Sequence, residues 1–350
     1  MSLHLFHNKT YVTSKPTLLE PTKKYIDKIL ENFNFSIQVK NINIFDNGLN
    51  YDTYSIESKD GKFFLLKVSF DSDNIQLKRE VRVLKKLNSF ASGKLIGFKN
   101  IKIGEKILCA LIQFPNCVSL KNLGRDFFLK NSETFFYTHK VLIQKVKPKR
   151  SKSGYLKELV DDQNFSKNFT TKTKSLISNY TDYDRLENIL KVALDQVESS
   201  APNVENPLPC LSNINSNSIY LGNSLFFFDK IDGFCNYHPY LDLCDIILNL
   251  IFEENSKKQI ISSFKSVYTD FDNELFDCFF EFCIKKKFLE SISSYVREVY
   301  ELRCLRVEKI TEIISMFHSN YSYFRNLSIF IDNQDFLFKT ITEPVLGVKA

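Results

Sequence analysis

Residues 37–114 carry five strand-like segments, and a single amphipathic helix separates the third from the fourth. Two turn signals, Asp46-Asn47-Gly48 and Lys59-Asp60-Gly61-Lys62, join the first three segments. In the second, Asp-Gly supplies the positive φ that tight hairpins need. Short turns of this kind pair neighbouring strands antiparallel, so this stretch predicts one antiparallel sheet with one helix. The predicted strands are residues 42–45, 53–56, 63–68, 94–98 and 106–114, and the predicted helix is residues 75–88.

After about residue 119 the spacing of apolar residues becomes mostly helical, apart from a short hairpin at residues 218–228. Residues 140–175 are rich in Lys, Ser, Thr and Asn and are predicted as a long basic surface loop or insertion. We therefore expect an α+β protein. Its predicted parts are an N-terminal arm and helix at residues 1–36, a small sheet lobe at 37–116 and a larger helical lobe at 117–350.

The composition of the 350 residues excludes several classes of protein. A net charge of +6, from 47 basic and 41 acidic residues, is too mild for a dedicated nucleic-acid binder. No apolar run approaches the roughly 20 residues of a membrane span, and the first residues do not resemble a secretory signal. The eight cysteines form no C-x-x-C pair. Reduced thiols in a cytoplasmic protein are the expected state.

Lys67 is the most informative single residue, because it is the only charged side chain in the apolar strand at residues 63–68. A buried ammonium needs an anionic partner, or its pKa falls. Glu80 follows in the next helix, on the same side as Leu77 and Val81, where it could reach such a lysine. Taken singly, the two residues are better explained as an exposed lysine on an edge strand and a glutamate on a wet helix face. Their order after a glycine-containing hairpin favours instead a lysine that binds phosphate and is oriented by Glu80.

Three stretches in this order resemble the small lobe of the protein-kinase-like fold, of the variety found in aminoglycoside phosphotransferases and choline kinases. They are residues 48–54 (GLNYDTY), 64–67 (FLLK) and 77–84 (LKREVRVL). The resemblance implies a two-lobed protein, in which a five-stranded antiparallel sheet with one helix joins a mostly helical lobe through a hinge near residues 113–117. It also implies that ATP lies in the cleft between the lobes, and that Gly48, Asn50, Lys67 and Glu80 contact or position it.

The second half of the family pattern reads H-G-D-x-H-x-x-N, then a hairpin, a strand ending in Asp, and a D-P-x-x-D-L-like stretch that opens a helix. The matching segment here is residues 210–217 (CLSNINSN), followed by the predicted hairpin and by residues 238–243 (HPYLDL). The resemblance implies that Asn217 and Asp229 bind Mg²⁺, and that Asp242 braces the catalytic loop. Asp232 is a weaker candidate for the metal, and His238 is expected to be structural.

The departure from the pattern lies at the catalytic position, where Ser212 replaces the family's Asp. Cys210 and Asn215 likewise replace its two histidines. An unactivated serine does not accept a proton near neutral pH, and the loss of a general base costs on the order of 10²–10⁴ in rate. The leading hypothesis is therefore a pseudokinase that binds ATP and Mg²⁺ without rapid turnover, as a binding or scaffold protein.

Two other hypotheses stay open at this point. One is an active ATP-dependent phosphotransferase that acts on a small-molecule hydroxyl, with a carboxylate from elsewhere, such as Asp232, as the base. The other is a structural subunit of a larger assembly, which would bind a protein partner through the basic insertion or the C-terminal helices. Neither nucleic acid nor a membrane is expected as a partner.

Overall fold

The computed structural model describes residues 23–34, 37–47, 51–115, 118–163, 171–178, 181–212, 214, 219–222, 225–229, 231, 233–250, 253–296 and 307–342. The chain forms two compact units. One comprises Met1–Pro148 and Leu211–Phe234, and the other comprises Lys149–Cys210 and Cys235–Ala350. We call them the sheet unit and the helical unit. The two units are defined by how densely their residues pack together. The lobe boundaries expected at residues 36 and 116 are a different division, and they stay predictions.

The predicted five-stranded sheet is confirmed. Its strands lie in the order β1-β2-β3-β5-β4, and every neighbouring pair is antiparallel. The predicted helix is also confirmed, as α2; its N-cap Asn74 accepts a hydrogen bond from the backbone of Leu77 at 2.8 Å, and Asn88 ends it in the left-handed conformation. The elements are α1 Lys23–Asn32, β1 Val39–Asn47, β2 Asp52–Ser58, β3 Phe63–Ser69, α2 Ile75–Leu87, β4 Lys94–Ile103 and β5 Glu105–Phe114.

The alternation of side chains along β3 assigns its residues to two different cores. Leu66 and Val68 face a cluster that includes Ile26 of α1. Lys67 points to the other face of the sheet, because successive residues of a strand alternate. Its cross-strand neighbour Ala110 packs there against α2. The lysine therefore lies on the face of the sheet that α2 covers.

Within the described part of the chain, five shorter strands follow and form two small sheets. Strands β6, β8 and β9 belong to the sheet unit, whereas β7 and β10 pair in the helical unit. The hairpin predicted at residues 218–228 is confirmed as β8 and β9. The bounds are β6 Val118–Ser119, β7 Leu208–Cys210, β8 Ile219–Gly222, β9 Leu225–Phe228 and β10 Cys235–Tyr237.

Most of the rest of the described chain is helical. The mostly helical character predicted after about residue 119 is confirmed for the described residues, and the longest helix, α11 (Asn273–Val296), is buried on most of its sides. No helix among the described residues combines the length and apolarity that a membrane span requires. The helices are α3 Leu120–Leu123, α4 Arg125–Lys130, α5 Ser132–Val146, α6 Lys152–Gln163, α7 Thr171–Ser178, α8 Tyr183–Ser199, α9 Tyr240–Leu250, α10 Glu254–Val267, α11 Asn273–Val296, α12 Val307–Ser319, α13 Tyr321–Phe324, α14 Ser328–Ile331 and α15 Gln334–Thr342.

The prediction of a long basic surface loop at residues 140–175 is wrong over the part of it that is described. Helix α5 continues into this stretch, and α6 and α7 occupy most of the rest. Tyr155 and Leu159 are one helical turn apart and both buried. Lys152 donates to the backbone oxygen of Pro202 at 2.7 Å. Few apolar residues such as Tyr155 and Leu159 mark the buried side of these helices. The many polar residues between them made the helical spacing unrecognisable in the sequence.

Candidate functional site

The sheet unit contains a buried ion cluster around Lys67. Its ammonium donates to Glu80 Oε1 at 2.6 Å and to Asp229 Oδ1 at 2.5 Å. The lysine is 0% exposed, and both carboxylates are buried. Sequence reasoning expected Lys67 to reach Glu80, and it named Asp229 only through the family pattern. The structure brings all three residues together.

Two members of the cluster, Lys67 and Glu80, are positioned by local patterns of the sequence. Lys67 faces α2 because it alternates with Leu66 and Val68 along β3. Glu80 lies one turn after Leu77 on the buried side of α2, so its carboxylate points towards the sheet.

Asp229 follows β9, whose aromatic side chains anchor it. Phe226 and Phe228 both contact the ring of Phe135 on α5, at centroid distances of 5.3 and 5.5 Å. The backbone N–H of Phe228 also donates to Ala91 O at 2.9 Å. These contacts hold the end of β9, and the carboxylate of the next residue is therefore held beside Lys67.

Tyr51 is a fourth member of the cluster, and the sequence alone suggested no separate role for it. Its hydroxyl donates to Glu80 Oε2 at 2.8 Å, and its ring centroid lies 5.3 Å from Lys67 Nζ. The signal that could have found it is the strand register. Thr53 pairs with Lys67 across β2 and β3, so a side chain two residues earlier lies on the same face of the sheet.

The charges of the cluster keep Lys67 protonated. Burial alone lowers the pKa of an ammonium, but the carboxylates of Asp229 and Glu80 outweigh it and raise the pKa of Lys67 well above its usual value. Two carboxylates around one ammonium leave a formal excess of one negative charge. Such a site can hold a cation, and it can bind a phosphate through the lysine when a metal neutralises the carboxylates.

Ser212, at the position of the family's catalytic Asp, is buried and already engaged. Its hydroxyl donates to the backbone oxygen of Gly233 at 2.5 Å, and its φ of 63° is in the left-handed region. The two segments approach so closely that a Cβ on Gly233 would lie 2.4 Å from Leu211 O. In this arrangement the Ser212 hydroxyl acts as a hydrogen-bond donor to the backbone, and it carries no group that accepts a proton near neutral pH.

Most of the other predicted site residues lie outside the part of the chain that the structure describes. Gly48, Asn50, Asn217 and Asp232 lie outside the described residues, as does Cys117 of the predicted hinge. Among the residues that are described, no three or more His, Cys, Asp and Glu side chains gather as a metal site. The roles predicted for Gly48, Asn50, Asn217 and Asp229 therefore stay predictions.

Three further residues of the family pattern lie in the helical unit. Cys210 lies opposite Cys235 in the register of β7 and β10. Burial raises the pKa of the Cys210 thiol well above the usual value. Asp242 is buried in the first turn of α9. Burial lowers the pKa of His238 to about 4, although Asp242 and Asp272 act in the opposite direction. His238 Nδ1 accepts from the backbone N–H of Tyr240 at 3.3 Å, an arrangement that fits a structural role.

Comparison with known proteins gives structural matches. No family model matches the chain, and no curated protein is significantly similar in sequence. Spectinomycin phosphotransferase in complex with ADP and spectinomycin matches 85% of this chain and 94% of its own, with a TM-score of 0.54 and 15% identity. Choline kinase from Streptococcus pneumoniae matches 86% and 99%, with a TM-score of 0.56 and 12% identity. The chain has the protein-kinase-like fold of aminoglycoside phosphotransferases and choline kinases.

A third match extends this result to an aminoglycoside phosphotransferase in complex with GDP and kanamycin. It covers 87% of this chain and all of the other, at 10% identity and a TM-score of 0.56. The resemblance inferred from residues 48–54, 64–67 and 77–84 is thereby confirmed at the level of the fold. At these sequence identities the matches establish only the fold. The function therefore has to be inferred from the site.

Proposed function

We propose that this protein is a nucleotide-binding pseudokinase, which holds ATP through Lys67 and transfers its phosphate slowly or not at all. The observation that carries the proposal is the Lys67 cluster. A fully buried ammonium is costly, and it is stabilised here by two carboxylates that come from separate segments of the chain. Solved structures with the same fold include complexes with ADP and with AMP-PNP.

Each residue of the cluster has a distinct task in this proposal. Lys67 would bind phosphate oxygens, and Glu80 would orient its ammonium. Asp229, with Asn217, would hold Mg²⁺, since magnesium prefers carboxylate and other oxygen ligands. The carboxylate of Asp229 fits this task, and the metal would supply neutralisation of the phosphate charge.

Weak catalysis follows from the environment of Ser212. The kinase-fold aspartate accepts a hydrogen bond from the substrate hydroxyl. The Ser212 hydroxyl donates its own hydrogen to Gly233 O, so it supplies no base in this arrangement. A missing general base lowers the rate by about 10²–10⁴.

A thermal-shift experiment with MgATP tests the binding. Binding to the folded state alone stabilises it by about 2.7 kcal/mol at a ligand concentration of 100 Kd. We expect a clear rise in Tm for the wild type and none for Lys67→Met. Lys78→Ala, at a partly exposed lysine on the same helix as Glu80, is the matched control and should keep the shift. If no nucleotide raises the Tm of the wild type, the proposal fails, and the protein would be a scaffold that binds no nucleotide.

An active phosphotransferase is the second candidate, and the fold itself favours it. Solved neighbours include enzymes in complex with spectinomycin and with kanamycin. A coupled assay of ADP release over hydroxylated metabolites distinguishes the two proposals. Turnover that is lost in Asp229→Ala would establish the enzyme and contradict the pseudokinase. In either case we propose a cytoplasmic location, on the cysteine pattern of the sequence.

A further inference from the structure

The ammonium of Lys67 has one donor direction that no described oxygen accepts. Among the described residues it donates two hydrogen bonds, one to Glu80 and one to Asp229. An ammonium has three N–H groups. The ring of Tyr51 lies over the same nitrogen at 5.3 Å, and Lys67 is 0% exposed. The lysine is therefore covered on every side, although a nucleotide-binding lysine must present a donor to phosphate.

The contacts that hold Tyr51 over the lysine include two that involve the ion cluster itself. Its ring contacts the ammonium, and its hydroxyl donates to the second oxygen of Glu80 at 2.8 Å. Tyr51 is itself partly exposed and lies directly before β2, at the end of the β1–β2 connection. The ring also packs against the cluster formed by Leu77, Val81, Leu108 and Ala110, so a turn towards solvent gives up this packing as well.

The three groups around Lys67 differ in how easily they are displaced. The two carboxylates make short, charge-assisted hydrogen bonds, which are among the strongest in proteins. The ring makes a cation–π contact that is not a hydrogen bond, and such contacts are weaker. A phosphate oxygen has to come within about 3 Å of Nζ to accept a hydrogen bond. Tyr51 is the one of the three groups that is partly exposed, and its displacement breaks the hydroxyl bond to Glu80 as well as the ring contact.

We propose that Tyr51 is a cap on Lys67, which the phosphate of a bound nucleotide displaces and which thereby sets the nucleotide affinity. The inference rests on the proposed function, since it assigns a resting state to the same site. When the competent state is only partly populated, the apparent affinity falls by that fraction. Removing the cap should therefore strengthen binding, whereas the loss of an ordinary contact residue would weaken it.

Calorimetric titration with MgADP tests the cap. We expect Tyr51→Ala to bind about tenfold more tightly than the wild type, which corresponds to about 1.4 kcal/mol. Tyr51→Phe loses the bond to Glu80 but keeps the ring, so its gain should be smaller. Equal or weaker binding by Tyr51→Ala, beside a wild type that binds and a Lys67→Met that does not, would overturn the cap and leave the proposed function standing. If neither the wild type nor Tyr51→Ala binds, both proposals fail.

A fluorescence experiment follows the movement directly. The chain contains no tryptophan, so Tyr51→Trp places a single reporter at the cap. We expect MgADP to increase the quenching of this tryptophan by acrylamide, because the ring moves into water. Tyr137→Trp, at a tyrosine on α5 that is 65% exposed, is the matched control and should not respond. If calorimetry shows that the Tyr51→Trp variant binds MgADP while its quenching stays unchanged, the displacement is contradicted.

Discussion

The ion clusters around Lys67 in the sheet unit and around Lys286 in the helical unit have similar surroundings. Lys67 contacts Glu80 and Asp229 in the sheet unit. Lys286 on α11 contacts Asp245 on α9 at 3.0 Å and Glu290 at 3.9 Å in the helical unit. In both clusters the carboxylates raise the pKa of the lysine, against a burial that lowers it.

The difference between the two clusters lies in how they are built. Lys286 and Glu290 are one turn apart on one helix, and the partner carboxylate comes from a packed neighbouring helix, so this pair joins two helices. The carboxylates around Lys67 come from α2 and from the end of β9, and the tyrosine over it lies beside a strand connection. A buried ion pair is therefore not in itself a sign of function. What distinguishes Lys67 is that its carboxylates come from two separate segments of the chain and that the ring of the partly exposed Tyr51 lies over its ammonium.

The largest expected effect tests the structural role of the second cluster. Lys286→Met should destabilise the protein by about 3–5 kcal/mol in urea unfolding, because it leaves the buried carboxylate of Asp245 without its cation. The double variant Lys286→Met/Asp245→Leu should recover most of the loss. A single variant within about 1 kcal/mol of the wild type would show that Lys286 is not needed for stability.

A matched pair of carboxamide substitutions sharpens the comparison. Glu80→Gln removes the charge from a buried carboxylate that orients Lys67 at 2.6 Å. We expect about 1–3 kcal/mol of destabilisation and roughly tenfold weaker MgADP binding. Glu290→Gln acts on a partly exposed carboxylate at 3.9 Å, so its effect on stability should stay below about 1 kcal/mol, with unchanged binding. Equal effects of the two variants would remove the distinction between the clusters.

Ser212→Ala separates structure from ligand binding within the sheet unit. The variant loses the hydrogen bond to Gly233 O, which should cost about 0.5–1.5 kcal/mol in chemical unfolding. MgADP binding should not change, because the proposed phosphate contact is made by Lys67. A large loss of affinity would mean that Ser212 takes part in binding the nucleotide.

A further expected effect depends on pH and should belong to the helical unit. His238 has a pKa of about 4 when folded, below its unfolded value of 6.5, so its contribution to stability is present above pH 6.5 and is lost as the pH falls towards 4. The raised pKa of Lys67 and of Lys286 makes their contributions vanish only at alkaline pH, as the pH rises through the folded values. Between pH 6.5 and 4, the Tm of His238→Gln should therefore fall less than that of the wild type. Parallel Tm curves would contradict this assignment.

The sequence alone determined the sheet and its lysine. The alternation of apolar residues, the Asp-Gly turn and the single helix are local patterns, and they specified the strands and α2 correctly. Lys67 was recognisable because it is the only charge in an apolar strand. Lys286 was not, because it lies between Lys285 and Lys287 in a run that is typical of an exposed helix face. The helices in residues 140–175 were missed for a related reason, since few apolar anchors hold them.

Only the tertiary structure decided which groups meet around Lys67. Asp229 is 162 residues away along the chain, and its contact depends on how the aromatic side chains of β9 pack against α5. Tyr51 reaches the cluster through the register of β2 and β3, which a single sequence does not specify. Secondary structure follows from interactions between near neighbours, and a site assembled from distant segments depends on packing.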